Sequence, residues 1–428
     1  MEKLKPGPLT GVTVLDFTWV LAGPYASKTL ADLGANIIKV EHYKAGANER
    51  LLPLRMENNG VIQSSYSILV NRGKKSICVN LKNPKGLDII HRLIKKSDFM
   101  IENFAPAVMG KLDLDYEAVR KVKPDIIYCS ISSFGHWGPY SHKPGYDAIA
   151  LAASGWADQS NPSIMAPVSI GDTVASMHAT TAMLAALYHK QLTGRGQNID
   201  ISMMDCLFSL HENTLPWYLL SSAVGAPVDI PRIGAKHPGY APCGIYQGRD
   251  GHIAIVCLTE NRWVPMVKLM GPEFEFLLSD PRAKDVSTRC STGSAFFIHE
   301  QVEKWVMTQP SVAEAERKLE EQGVPCLRCR SLKELADVDL QVKAREMMVT
   351  LYQPFIGPMR HYGSALKLSE TPAGPRGYAP LQGENNAEVM MRELGMTETE
   401  VKALYEEDVL YHEPAVDNLP EELKKNGV

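Results

Sequence analysis

The chain lacks any stretch of about 18 consecutive apolar residues, so nothing in it reads as a membrane-crossing helix. Its opening, MEKLKPGPLTG, has no apolar signal segment. It also lacks an excess of either charge. Formal charge is −4, from 45 basic and 49 acidic side chains among 428 residues, and no global field draws it to nucleic acid or to an acidic membrane. Cysteine is sparse, at eight scattered positions. The one close pair, Cys326-Leu327-Arg328-Cys329, has neither a second pair nor a nearby histidine, which leaves a zinc or redox centre unsupported. A reducing cytoplasm is the expected compartment. The dinucleotide fingerprint is missing as well. After the first apolar segment comes Trp19-Val20-Leu21-Ala22-Gly23-Pro24, which cannot be written G-x-G-x-x-G, and this argues against a nicotinamide enzyme.

What is present describes an ordinary globular protein, 45% hydrophobic and 22% charged, long enough for two or three domains. The first half alternates short apolar runs with helical patterns. Val12–Phe17, Asn36–Glu41, Ser76–Leu81, Phe99–Glu102, Ile126–Ile131 and Gln197–Met203 read as strands. Helices are expected at Tyr25–Leu33, after Pro84, and over 173–190, the last of them Ala- and Met-rich and buried. The rhythm predicts an α/β fold with a mostly parallel sheet covered on both faces. From Pro216 to Pro242 proline, glycine and isolated charges replace periodic apolars, as in a linker. The expected division is a large domain over 1–215, a linker over 216–242, a small domain over 243–330, and a return to the large domain over 331–428.

Asp172 draws attention because Gly171 precedes it and the long helical pattern follows at once. A carboxylate at such a strand-to-helix junction meets unpaired amides and the positive end of the helix dipole. A helix N-cap is one reading of it; a nucleophile is the other.

Several short segments decide between them. Gly11–Asp16, Ala22-Gly23-Pro24, Leu30–Ala35, Ile38–Glu41, Asn71–Ser76, Glu102-Asn103-Phe104, Pro144-Gly145-Tyr146-Asp147, Gly171-Asp172, Gly323-Val324-Pro325 and Gly383-Glu384-Asn385 follow one another along the full length. In that order they resemble the class III CoA-transferase family, which includes formyl-CoA, carnitine, bile-acid and benzylsuccinate CoA-transferases. The resemblance implies a large Rossmann-like domain formed by both chain ends, a small α/β domain, and two ring-like chains interlocked as a dimer. It also implies a carboxylate chemistry for Asp172: attack on the donor thioester gives an aspartyl anhydride and CoA thiolate, and the thiolate returns to give an aspartyl-CoA thioester. The acceptor carboxylate displaces that thiolate into a second anhydride, from which it collects the acyl group. Covalent catalysis of this kind splits one difficult exchange into easier ones.

Coenzyme A and acyl-CoA are thus expected as substrates, with no tightly bound cofactor and no metal. The resemblance places His42, Lys82 and Lys111 at the CoA phosphates, and Val79, Asn103 and Phe104 at the adenine and ribose. Val20, Leu21 and Ala22 fall at the thioester end, with Tyr146 in the same pocket. Formyl-CoA transferase has arginine at the positions of His42 and Lys111, so this chain lacks the bidentate forks there. It has no run of four glycines for a flexible lid; Gly234–Gly239 is the nearest substitute. Ile170, Val174 and Met177 are expected to limit hydration of the Asp172 carboxylate.

Racemases of the same fold carry Gly-His-Asp where this chain has Gly145-Tyr146-Asp147. A phenol, ionising near pH 10, suits proton return at neutral pH poorly, so transfer is favoured over racemisation. A homodimer is expected, with a heteromer of two related chains as the alternative. Leu21 stands where formyl-CoA transferase has glutamine, and Trp19, Trp156 and Trp217 are bulky neighbours to consider. These residues favour an apolar or aromatic carboxylate, such as a benzylsuccinate-like acid, with succinyl-CoA as a donor by analogy.

Overall fold

The computed structural model describes residues 5–420 apart from 161, 162, 164 and 230, so Met1–Leu4 of the opening segment lie outside the described residues. Six strands form one sheet: β1 (Thr13–Asp16), β2 (Asn36–His42), β3 (Lys75–Val79), β4 (Phe99–Glu102), β5 (Ile127–Ser132) and β6 (Asn198–Ser202). Their order is β3-β2-β1-β4-β5-β6, and every neighbouring pair is parallel. The strands are apolar on both faces because helices cover both. Val14, Leu15, Ile77, Phe99, Met100 and Ile127 are wholly buried. The helices of this part are α1 (Ala22–Asp32), α2 (Ser65–Asn71), α3 (Pro84–Lys96), α4 (Tyr116–Val122), α5 (Asp147–Ala153), α6 (Ile170–Thr193) and α7 (Met203–Phe208). α3 shows how local sequence sets an element. Asn83 caps it through the Lys85 amide, Pro84 occupies the first turn, and Ile89, Ile90, Leu93 and Ile94 supply the buried face.

The strand order reverses between β1 and β4. At such a point the loops leaving the two strands diverge and open a crevice at the carboxyl edge, the usual ligand position in an open α/β sheet. The turns after Asp16 and after Glu102 meet there.

Two compact units divide the chain: Met1–Ser154 with Ala166–Leu210 and Leu340–Val428, and Gly155–Met165 with His211–Asp339. In the first unit the C-terminal segment covers the outer edge of β3. The side-chain oxygens of Asn385 and Asn386 accept the Ser76 and Cys78 amides, each at 2.9 Å, which removes an exposed strand edge. The second unit has a three-stranded antiparallel sheet of Cys243–Gln247, His252–Val256 and Cys326–Arg328. Helices Glu260–Met270, Thr292–Thr308 and Val312–Glu321 accompany it, around a core containing Trp263, Tyr246 and Trp305.

Two expectations about local structure need correction. The segment expected as linker opens inside a helix, Thr214–Ala223, because Pro216 falls in the first turn where its missing N–H is harmless. The long helix over 173–190 is not buried all round: it begins at Ile170, and Met177, Tyr188 and Leu192 are exposed.

Candidate functional site

Asp172 is the third residue of α6, not its N-cap, and no strand runs directly into it; Ser169 holds the cap position without a side-chain bond. The cap comes from elsewhere in the chain. Asp147, first residue of α5, accepts the Gly171 amide at 2.7 Å and the Asp172 amide at 3.2 Å through Oδ1. Gly171 is needed for this approach, since a Cβ there would lie 2.9 Å from the same oxygen. With Asp147 taking up the α6 amides, the Asp172 side chain is free to turn toward α1, where the Ala22 amide lies near its carboxylate and favours the charged form. Ser176, one turn on, ties the helices together by donating to the Ala22 carbonyl at 2.5 Å.

The electrostatics follow from this placement. Burial pushes the Asp172 carboxyl up, and the Asp147 charge pushes it further, against the Ala22 amide, to about 7. Tyr66 of α2 adjoins the pair. Its hydroxyl is raised by burial and by both aspartates, against a hydrogen bond with Ser169. A carboxylate 9% exposed, with no cation partner among the described residues, is weakly solvated and poised near neutrality, as a nucleophile requires. The residues expected to shield it do less than foreseen. Met177 is exposed, Ile170 and Val174 are half-buried, and the packing comes instead from the fully buried Ala22 and from Asp147.

The turn from Thr18 to Ala22 occupies the crevice. Asn103, just past β4, grips Trp19 by both backbone groups, at 2.8 and 2.9 Å. Its amide therefore serves this turn rather than standing free beside an adenine. The Phe104 ring lies against Trp19, centroids 5.1 Å apart, so Trp19 packs on the expected nucleotide side. Leu21 is the buried N-cap of α1, and Val20 has φ 64°, in the left-handed region.

His42 and Val79 are register partners at the ends of β2 and β3. His42 is exposed, whereas Val79 is 1% exposed within the core and offers a ligand no side-chain surface. Lys82 is exposed three residues beyond β3. Lys111 lines a cavity of about 510 Å³ with Glu102, Tyr116, Tyr128, His136 and Asn198. Tyr146 is 68% exposed; of its motif, the residue reaching Asp172 is the neighbouring Asp147. His178 is an exposed helix-surface histidine bonded to the Val174 carbonyl. In the second unit Gly234–Gly239 is tied down rather than loose: the Ala235 and His237 carbonyls accept Ile245 N and His299 Nε2.

Sequence reading missed Asp147 and Tyr66, which adjoin Asp172. The signal for Asp147 lay in the Gly145-Tyr146-Asp147 motif; nothing local marks Tyr66. Four residues of the quoted segments also form buried ion pairs: Asp16 with Lys74 at 2.9 Å, Lys39 with Glu49 at 2.9 Å, and Glu41 with Arg50 at 2.6 Å. Among the described residues no cluster of three or more His, Cys, Asp or Glu side chains is placed to hold a metal, and no helix is long and apolar enough to cross a membrane.

Residues 9–386 match the family described as CoA-transferase family III. Among curated proteins the chain is 31% identical to a formyl-CoA:oxalate CoA-transferase of Streptomyces avermitilis, covering 94% of this chain and 99% of that one. It is 30% identical to a succinyl-CoA:glutarate CoA-transferase of Mus musculus, covering 93% and 89%. Among solved structures, a CaiB/BaiF family protein from Brucella suis superposes with a TM-score of 0.78 at 28% identity, covering 91% and 100%.

Proposed function

Because the chain belongs to CoA-transferase family III, whose enzymes move CoA between an acyl-CoA and a carboxylate, we propose that Asp172 is the group that carries the acyl and then the thiol. Its carboxylate attacks the donor carbonyl and expels CoA thiolate, forming an aspartyl anhydride. The thiolate attacks the aspartyl carbonyl and releases the donor acid, leaving CoA on Asp172 as a thioester. The acceptor carboxylate displaces the thiolate, and the thiolate takes the acceptor acyl group, restoring free Asp172. The observation that supports this reading is the burial of the Asp172 carboxyl at the start of α6 beside Asp147, with no cation partner among the described residues.

His42, Lys82 and Lys111 are proposed for the CoA phosphates, Val79 through its backbone, and Asn103 and Phe104 for the nucleotide side of the crevice. Val20, Leu21 and Ala22 take the thioester end, with Tyr146 beside it. The acceptor is an organic carboxylate. Leu21 supports an apolar or aromatic acid, while the names of the oxalate and glutarate relatives support a dicarboxylate as the second reading. Succinyl-CoA is the first donor to try, by the mouse relative's name. A cytoplasmic homodimer is the proposed working form, a heteromer with a related chain the alternative.

The test incubates the purified protein with a panel of acyl-CoA donors and looks for a CoA adduct by intact mass, mapped to Asp172. An exchange panel of aryl, aliphatic and dicarboxylic acids then separates the two acceptor readings. Proton exchange beside the thioester with no CoA exchange would overturn transfer in favour of racemisation.

A further inference from the structure

Resting on that role for Asp172, we propose that Glu49 is a positioning residue for the transfer: it fixes the left-handed turn at Val20 that presents the Ala22 amide to the Asp172 carboxylate. Val20 has φ 64°, a conformation that favours glycine and that a β-branched side chain adopts only under constraint. The constraint is visible. Glu49 Oε2 accepts the Val20 amide at 2.9 Å, while Oε1 accepts Asn71 Nδ2 at 3.1 Å and pairs with Lys39 Nζ at 2.9 Å. Lys39 in turn donates to the Thr18 carbonyl at 2.7 Å.

Every backbone amide from Phe17 to Val20 has a fixed acceptor: the Ile101 carbonyl, then Asp16, Asn103 and Glu49. Only the last of these holds a residue in the left-handed region. Two residues later the chain enters α1, and Ala22 delivers its amide to Asp172. Glu49 and Lys39 are both fully buried. A buried ion pair is seldom the most stable filling for such a space, so a constraint on geometry is a better reason for it. Glu49 acts through Val20 rather than by touching substrate.

The groups facing Asp172 define a readout. They are the Asp147 carboxylate from α5, the Tyr66 hydroxyl from α2 and the Ala22 amide from α1. If Glu49 acts by positioning, Glu49→Gln, which offers one acceptor oxygen where Glu49 uses both, loosens the turn, draws the Ala22 amide away from Asp172 and moves the acid limb of kcat/KM upward. Merely removing a negative charge from the neighbourhood would move it downward.

The experiment uses the full chain and formyl-, acetyl-, succinyl- and benzoyl-CoA, taking the donor that labels wild type fastest. Glu49→Gln is expected to form the Asp172 adduct about 10- to 100-fold more slowly, as misplacement of a reacting group does. Donor KM should stay within about threefold, the pattern of an interaction used in the transition state. Val20→Gly added to Glu49→Gln should recover most of the rate, because glycine adopts this φ unaided. Should Glu49→Gln not fold, Val20→Pro cuts the same link from the other end by removing the amide and forcing φ negative, with the same kcat-selective loss expected. A wild-type rate in Glu49→Gln or Val20→Pro, a loss that Val20→Gly leaves unrepaired, or a downward acid limb overturns the proposal. Absence of any Asp172 adduct in wild type instead overturns the reading on which it rests.

Discussion

The two halves of the central sheet use carboxylates in opposite ways. Under β3, β2 and β1 each buried acid meets a cation. Burial alone would raise Asp16, but Lys74, then Lys39 and the Ser27 and Thr18 hydroxyls, hold it at about 2. Burial likewise opposes Glu41, and Arg50 holds it at about 2. Beyond the switch point the two buried acids, Glu102 and Asp172, have no lysine or arginine partner among the described residues, whereas the partly exposed Asp98 and Asp125 share Lys190. Glu102, at the end of β4, is raised by burial despite Ser130 and the Phe104 amide, with His136 3.8 Å away. Asp172, on the helix before β6, is raised to about 7. Paired acids hold the scaffold in shape, and unpaired ones stand where chemistry or ligand binding can use a proton equilibrium.

The comparison breaks most sharply at Lys74. Lys74→Met leaves Asp16 buried without its cation and should destabilise the protein by about 3–5 kcal/mol, read as a lower denaturant midpoint. Pairing that change with Asp16→Leu should recover most of the loss, because an apolar pair of similar volume is often as stable as a buried ion pair. Failure of the double variant to recover would mean that Asp16 does more than balance Lys74.

A smaller effect, of opposite sign, is expected at Asp172. Its folded-state pKa lies above the ordinary carboxyl value of 3.8, so the native state prefers the protonated form. The resulting penalty is absent below about pH 4, grows as pH rises, and is complete above about pH 7. Asp172→Asn should therefore match wild type in stability near pH 4 and exceed it by roughly 2–4 kcal/mol at pH 8. An equal difference at both pH values would show that the carboxyl is not raised.

Glu102→Gln should be the mildest of these changes, less than about 1 kcal/mol at neutral pH, because glutamine can still accept the Phe104 amide. Its benefit should grow as pH rises above the ordinary glutamate range. A loss as large as that of Lys74→Met would erase the contrast between the two halves.

Much of the scaffold was legible in the sequence, because strands buried on both faces are written as short apolar runs and α3 carries its own cap and stripe. Asp172 was legible from its glycine and the helical pattern after it. What could not be read were partners set by tertiary structure. Asp147 caps α6 from 25 residues away, so Asp172 looked like its own cap. The segments holding Asp16, Lys39, Glu41 and Lys74 carried the family resemblance, but their buried ion pairs could not be read, since pairing depends on strand order rather than spacing. Trp19 looked free to line an acceptor pocket until Phe104, 85 residues on, was found against it. The Thr214–Ala223 helix was hidden by Pro216, a breaker everywhere except in a first turn.

The account stands on Asp172 being both the site of attachment and a carboxyl titrating near neutrality. The direct measurement is the pH dependence of the single-turnover rate of CoA-adduct formation, with the adduct mapped to the residue. The account predicts attachment at Asp172 and a rate that falls below a midpoint of about 7, as the attacking carboxylate is protonated. Attachment at another residue, or a rate unchanged down to pH 5, would contradict it.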